Sequence, residues 1–224
     1  MNKDIEIICV NYNTPDLLER MIKSVIKHEG EYPIRVIDGS DRREFVLQTF
    51  DLEKKYHNVS FLRQGWNIHH GRGMDLGVST SNRKYTLIID SDNYLMQPVI
   101  DIMYSAMKGK KIVGWYCFCN EKGVGKGREY TPESPIKYWH PSVMLLDTDY
   151  YRELKKNGIT FIHHGAPCIK IMKFLHDQKL SDVVGLDILD QMGVPFTDIG
   201  QWFNLDNSKH QSTRGTVNRF GRNY

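Results

Sequence analysis

The sequence predicts an α/β fold in which helices flank a mostly parallel central sheet. Two observations carry this expectation. Short apolar runs alternate with amphipathic helical patterns from residue 5 to residue 90, and such alternation packs crossover helices against parallel strands. The runs are also almost continuously apolar, as in "IEIICV" (5–10), which suits strands covered on both faces. At 224 residues, 40% of them hydrophobic, the chain has the length and composition to bury the core of one domain.

The elements follow in order. After the first strand, "NYNTPDLLERMIKSVIKH" offers Thr14 as N-cap, Pro15 at the first helical position and acidic Asp16. Leu17, Leu18, Met21, Ile22, Val25 and Ile26 then form one stripe that faces a sheet. "IRVID" (34–38) is a second strand, and "GSDRREFVLQTFDLEKKY" turns into a second helix. "VSFLR" (59–63) is a third strand, "GRGMDLGVSTS" a short helix and "YTLIID" a fourth strand. Beyond Asp92 the pattern loosens. "QPVIDIMYSAMKGK" and "IKIMKFLHDQ" read as helices, and "KIVGWYCFC" and "KYWHPSVMLLD" as strands. "NEKGVGKGREYTPESP" (120–135) is a loop without hydrophobic period.

Several classes are excluded. A net charge of +3, scattered along the chain, is too mild to argue for nucleic acid. No apolar run approaches the roughly 20 residues of a membrane helix, and "MNKDIEIICV" has no signal-peptide core. Cys9, Cys117, Cys119 and Cys168 form no CxxC or zinc pattern, which leads to an expectation of free thiols in the cytoplasm.

"TLIIDSDNYL" (86–95) runs an apolar strand into Asp90, Ser91 and Asp92. Ligands of open α/β sheets bind beyond the carboxyl ends of the strands. Strand residues two apart point the same way, so both carboxylates are expected to address one site. A pair of hard oxygen ligands there suits Mn²⁺ or Mg²⁺, with diphosphate oxygens completing the shell. The plainer alternative has Asp90 capping a turn and Asp92 in solvent.

"ICVNYNTPDLLERMIKSV", "VIDGSD" and "NIHHGRGMDLGVSTSNRKYTLIIDSDNYL", in that order, resemble the nucleotide half of a GT-A-fold glycosyltransferase of family two. No internal repeat or linker appears, so the chain reads as a single GT-A-like domain, with a nucleotide-binding half at 1–100 and a more irregular acceptor-side half at 101–224. The resemblance implies transfer of a sugar from a nucleotide-diphosphate donor to an acceptor hydroxyl, metal dependence and inversion. It sets Val10, Tyr12 and Asn13 near base and ribose, and Asp38 on the base, followed by Gly39 of the Gly-Ser turn. It sets Arg72 near the phosphates, Asp90 near the ribose with Ser91 beside it, and Asp92 on the metal. Three positions depart from the family pattern: Ile37 replaces the first of an acidic pair, His69 stands where glycine is common, and Asp75 where asparagine is common.

An inverting transfer needs a general base near the acceptor hydroxyl. The stretch "ITFIHHGAPCIKIMKFLHDQ" has no acid where family members carry one, and His163 and His164 precede its helix. Imidazole titrates in the right range for that role, although two histidines packing a loop are an equal alternative. Asp182, Asp187 and Asp190 are rival bases. In "NLDNSKHQSTRGT" (204–216), His210 resembles the C-terminal metal ligand of several GT-A enzymes, and Arg214 is a candidate diphosphate clamp; a solvated tail is the other reading. The expected partners are a nucleotide-sugar donor and a glycan or other hydroxyl-bearing acceptor, with a homodimer left open. A nucleotidyltransferase and a non-catalytic sugar-nucleotide-binding module are the competing functions.

Overall fold

A computed structural model describes residues 3–125, 127–162, 165–192 and 200–202. The chain alternates β1 (Ile5–Asn11), α1 (Pro15–Glu29), β2 (Ile34–Asp38), α2 (Arg43–Lys55), β3 (Val59–Arg63), α3 (His70–Thr80) and β4 (Tyr85–Ile89). A short β5 (Asn93–Leu95), α4 (Ile100–Ala106), β6 (Ile112–Cys119) and β7 (Ile136–Asp147) follow. The described chain then contains α5 (Thr148–Lys156), α6 (Ile169–Asp177), α7 (Ser181–Val184), β8 (Gly185–Asp187), α8 (Ile188–Met192) and β9 (Gly200–Trp202).

Seven strands form one sheet in the order β3-β2-β1-β4-β7-β6-β8. β7 runs antiparallel to both neighbours, and every other pairing in this sheet is parallel. The apolar runs behave as expected: Ile5, Ile7, Ile8 and Cys9 of β1 are fully buried, as are Leu87 and Ile89 of β4. Each such aliphatic side chain removed from water contributes about 1.5–3 kcal/mol. Of the predicted stripe, α1 buries Leu17, Leu18, Met21, Ile22 and Val25, with Ile26 half-buried against the core. Thr14 occupies its N-cap, but the hydroxyl donates to Asn11 Oδ1 (2.9 Å) instead of accepting a helix N–H. At the other end of α1, Glu29 Oε1 accepts from the N–H groups of Val99 (2.5 Å) and Ile100 (3.2 Å). That satisfies orphan donors at the start of α4 and sets where this helix begins.

Two local features shape the mouth of the sheet. The glycines of "GRGMDLG" let α3 lie directly on the strands. A Cβ at Gly73 would come within 2.6 Å of Val10 Cγ1, and one at Gly77 within 2.4 Å of Ile8 Cγ2. A Cβ at Gly71 would meet the Ile162 carbonyl oxygen at 1.6 Å, so the segment before α6 rests on the first turn of α3. The second feature is a bulge in β7. β6 advances from Gly114 to Tyr116 while β7 advances from Met144 to Trp139. Pro141, which has no N–H for the ladder, sits inside that bulge. The bulge turns His140 onto Trp115 (rings stacked, 4.9 Å) and Ser142 Oγ toward Trp115 Nε1 (2.8 Å).

Candidate functional site

β1, β2 and β4 end on the same side of the sheet, each with a polar side chain at or just beyond its last residue. At the end of β2, Asp38 is only 1% exposed. Its Oδ1 accepts from Asn11 Nδ2 (2.9 Å), Ser40 N (3.1 Å) and Ser40 Oγ (2.6 Å), and its Oδ2 accepts from Thr49 Oγ1 (3.1 Å). Both oxygens are therefore engaged beneath the mouth, binding β1, the Gly-Ser turn and α2 together. The exposed carboxylate nearby is Asp41. It accepts from Tyr12 Oη (2.9 Å) and Asn13 Nδ2 (2.9 Å), which hold its pKa below the usual value. Gly39 has to be glycine, because a Cβ would lie 2.8 Å from the Trp66 carbonyl oxygen. The loop after β3 thus rests on the Gly-Ser turn, with the Trp66 side chain 49% exposed. Val10 is half-buried under α3, and Arg72 is exposed in that helix's first turn.

At β4 the strand stops at Ile89, and Asp90 to Asn93 form a turn closed by Asn93 N donating to Asp90 O (3.0 Å). A turn, and not the expected strand alternation, therefore sets Asp90 and Asp92 side by side. Ser142 O from the β7 bulge receives Asp90 N and Asn93 Nδ2, both at 3.4 Å, and so supports this turn from below. Burial and the charge of Asp90 push Asp92 up to about 7. Asp90 itself moves down: burial pushes it up, but the charge and contact of His70 outweigh that. His70 Nε2 stands 2.9 Å from Asp90 Oδ1. On the other side, burial lowers His140 to about 4, so this imidazole is neutral at pH 7. Its Nδ1 accepts from Ser142 N (3.2 Å), which assigns the ring proton to Nε2.

His70 is the site residue that sequence reasoning missed. The available signal was a second histidine beside His69, at the start of a helix that opens at the strand mouths. His69 carries a further mark. It sits at φ 64°, ψ 157°, a backbone region that glycine tolerates and other residues avoid. The sequence departure at this position is thus also a conformational one.

Other expected residues lie elsewhere. Asp187, a rival base, is 7% exposed. It holds Arg128 Nη2 (2.5 Å) and accepts from Leu189 N (2.9 Å), and β7 and β6 separate its strand from β4. Asp182 pairs with Lys137 on the surface. The glycine-rich loop is tied to β6 through Phe118 N to Gly127 O (2.8 Å) and a bridge from Cys119 to Gly125. His163, His164, His210, Arg214 and the side chain of Asp190 lie outside the described residues. The last described residue, Trp202 of β9, pairs antiparallel with Asn93 of β5.

Among the described residues no group of three or more His, Cys, Asp or Glu side chains is arranged to hold a metal ion. The acidic turn nevertheless has the chemistry of a partial site. It offers carboxylate oxygens, which hard divalent cations take. No described helix is long and apolar enough to cross a membrane.

The family model for "Glycosyl transferase family 2" matches residues 6–179, and the chain belongs to that family. No curated protein matches the sequence. Solved structures show the GT-A fold. GalNAc-T7 with UDP, GalNAc and Mn²⁺ superposes with a TM-score of 0.59 at 12% identity, over 73% of this chain and 38% of that one. TarS 1–349 of S. aureus with UDP-GlcNAc gives 0.53 at 16% identity, over 77% and 53%. The mannosyltransferase PcManGT of Pyrobaculum calidifontis, with GDP-Man and Mn²⁺, gives 0.54 at 12%, over 74% and 50%. The chain spans from about a third to about half the length of the solved chains it resembles.

Proposed function

We propose that the protein is a divalent-metal-dependent glycosyltransferase that moves a sugar from a nucleoside diphosphate donor to an acceptor hydroxyl with inversion. The observation that carries this reading is the acidic turn Asp90–Ser91–Asp92 at the mouth of β4, in a chain of family two. Its support from outside is that TarS was crystallised with UDP-GlcNAc and PcManGT with GDP-Man and Mn²⁺. Asp92 is the cation ligand, with His210 as a second from the C-terminal segment. When bound, the cation supplies positive charge at the diphosphate oxygens as they leave.

The remaining roles belong to the chain's own groups. Tyr12 and Asn13 form the rim for base and ribose, with Asp38 and Gly39 shaping its floor. Asp90 takes the ribose. Arg72 and Arg214 hold phosphate oxygens through charge-assisted hydrogen bonds. His164 or His163 accepts the proton of the attacking hydroxyl. We retain the histidines over Asp187 because that carboxylate already holds Arg128 and the Leu189 N–H. The four cysteines are free and buried, and we extend the reading to a reducing, cytoplasmic setting.

The test is turnover. Donor sugars carrying UDP, GDP or dTDP are incubated with Mn²⁺ and a panel of sugar acceptors, and release of free nucleoside diphosphate is followed. Release from one donor is expected, reduced about 100-fold or more in Asp92→Asn. Binding without turnover across all acceptors would favour the non-catalytic module, and pyrophosphate-forming chemistry the nucleotidyltransferase.

A further inference from the structure

We propose that His70 is a positioning residue for the donor site: its imidazole holds the Asp90 carboxylate at the mouth of β4 in the orientation the donor meets. This role rests on the reading of Asp90 as a donor contact. The pair is close, with Nε2 and Oδ1 at 2.9 Å, and both side chains are largely withdrawn from water, 30% exposed for His70 and 14% for Asp90. The two residues come from different elements, His70 from the first turn of α3 and Asp90 from the end of β4, so the contact ties the acid to the helix.

The imidazole also has a rigid mounting. α3 is pressed onto β1 through Gly73 and Gly77, and its first turn meets the Ile162 carbonyl at Gly71. Further along, Asp75 receives Tyr151 Oη (2.6 Å) and Lys155 Nζ (2.8 Å), which fastens α3 to α5. A helix held on three sides fixes the origin of the His70 side chain and, through it, the direction of Asp90. The ribose-facing acid is therefore aimed by a helix as well as by its own turn.

The experiment combines a double-mutant cycle with a spectroscopic readout on the full-length chain. Affinity for the nucleoside diphosphate that the parent binds, from UDP, GDP and dTDP with Mn²⁺, is measured in the parent, His70→Phe, His70→Gln, Asp90→Asn and His70→Phe/Asp90→Asn. His70→Phe is expected to weaken binding about tenfold or more. His70→Gln, whose amide N–H reaches the place of Nε2, is expected to retain most of it. In the Asp90→Asn background His70→Phe is expected to add nothing, because the residue acts through Asp90. Full-strength binding by His70→Phe, or losses that add in the double variant, would overturn the proposal. Imidazole ¹⁵N shifts report the pair independently of any donor and need only a folded Asp90→Asn variant. His70 nitrogens that do not respond to Asp90→Asn also overturn it. A parent that binds none of the three nucleotides removes the donor reading and this role with it, while the ¹⁵N shifts tell that failure from an absent pair.

Discussion

Asp92 holds its proton to about pH 7 in the folded chain, against 3.8 for an ordinary aspartate. The sign follows from linkage: the native state binds this proton more tightly than the unfolded state, so metal-free stability falls as pH rises from about 4 to about 7. Asp92→Asn removes that loss. Without metal at pH 8 the variant is expected to be more stable than the parent by about 1–2 kcal/mol, solvent screening included. The difference should vanish near pH 4, as thermal melts at the two pH values would record; equal melting at pH 8 contradicts it. Much of this site was legible at the level of single residues, because two acids at the end of an apolar run require an explanation. The partners were not. His70 meets Asp90 only once α3 lies on β1. Asn11, Ser40 and Thr49 reach Asp38 from β1, the Gly-Ser turn and α2, and meet it only in the folded chain.

Among the elements, α3 carries the clearest conflict between sequence and backbone. His69 at its N-cap occupies a conformation that costs a non-glycine residue about 1–3 kcal/mol. His69→Gly is expected to raise the melting temperature by about 2–4 °C for each kcal/mol recovered. An unchanged or lower melting temperature would show that the His69 side chain returns as much as its backbone costs. The strands of the first half were readable as short continuous apolar runs, and α1 by its period, seen in its buried stripe. β5 and β9 were not readable, since three-residue strands have too few positions to show one. The bulge in β7 had a visible cause in Pro141, yet its consequence, Ser142 O beneath the acidic turn, depends on which strand lies next to β4.

Over the whole molecule, the parallel α/β class was legible from alternation alone, whereas the insertion of antiparallel β7 between β4 and β6 was not. That pairing joins residues some 60 positions apart, Tyr85 with Asp147, and no local pattern encodes it. It matters for the site, since β7 brings His140 and Ser142 to the mouth of β4. The claim on which the account turns is that this mouth binds a nucleoside diphosphate through a cation held by Asp92. Titration calorimetry of the parent and Asp92→Asn with UDP, GDP and dTDP, each with and without Mn²⁺, tests it most directly. The account predicts binding of one nucleotide by the parent that requires manganese and is lost in Asp92→Asn. Equal binding by the two proteins, or none by the parent with manganese present, would contradict it.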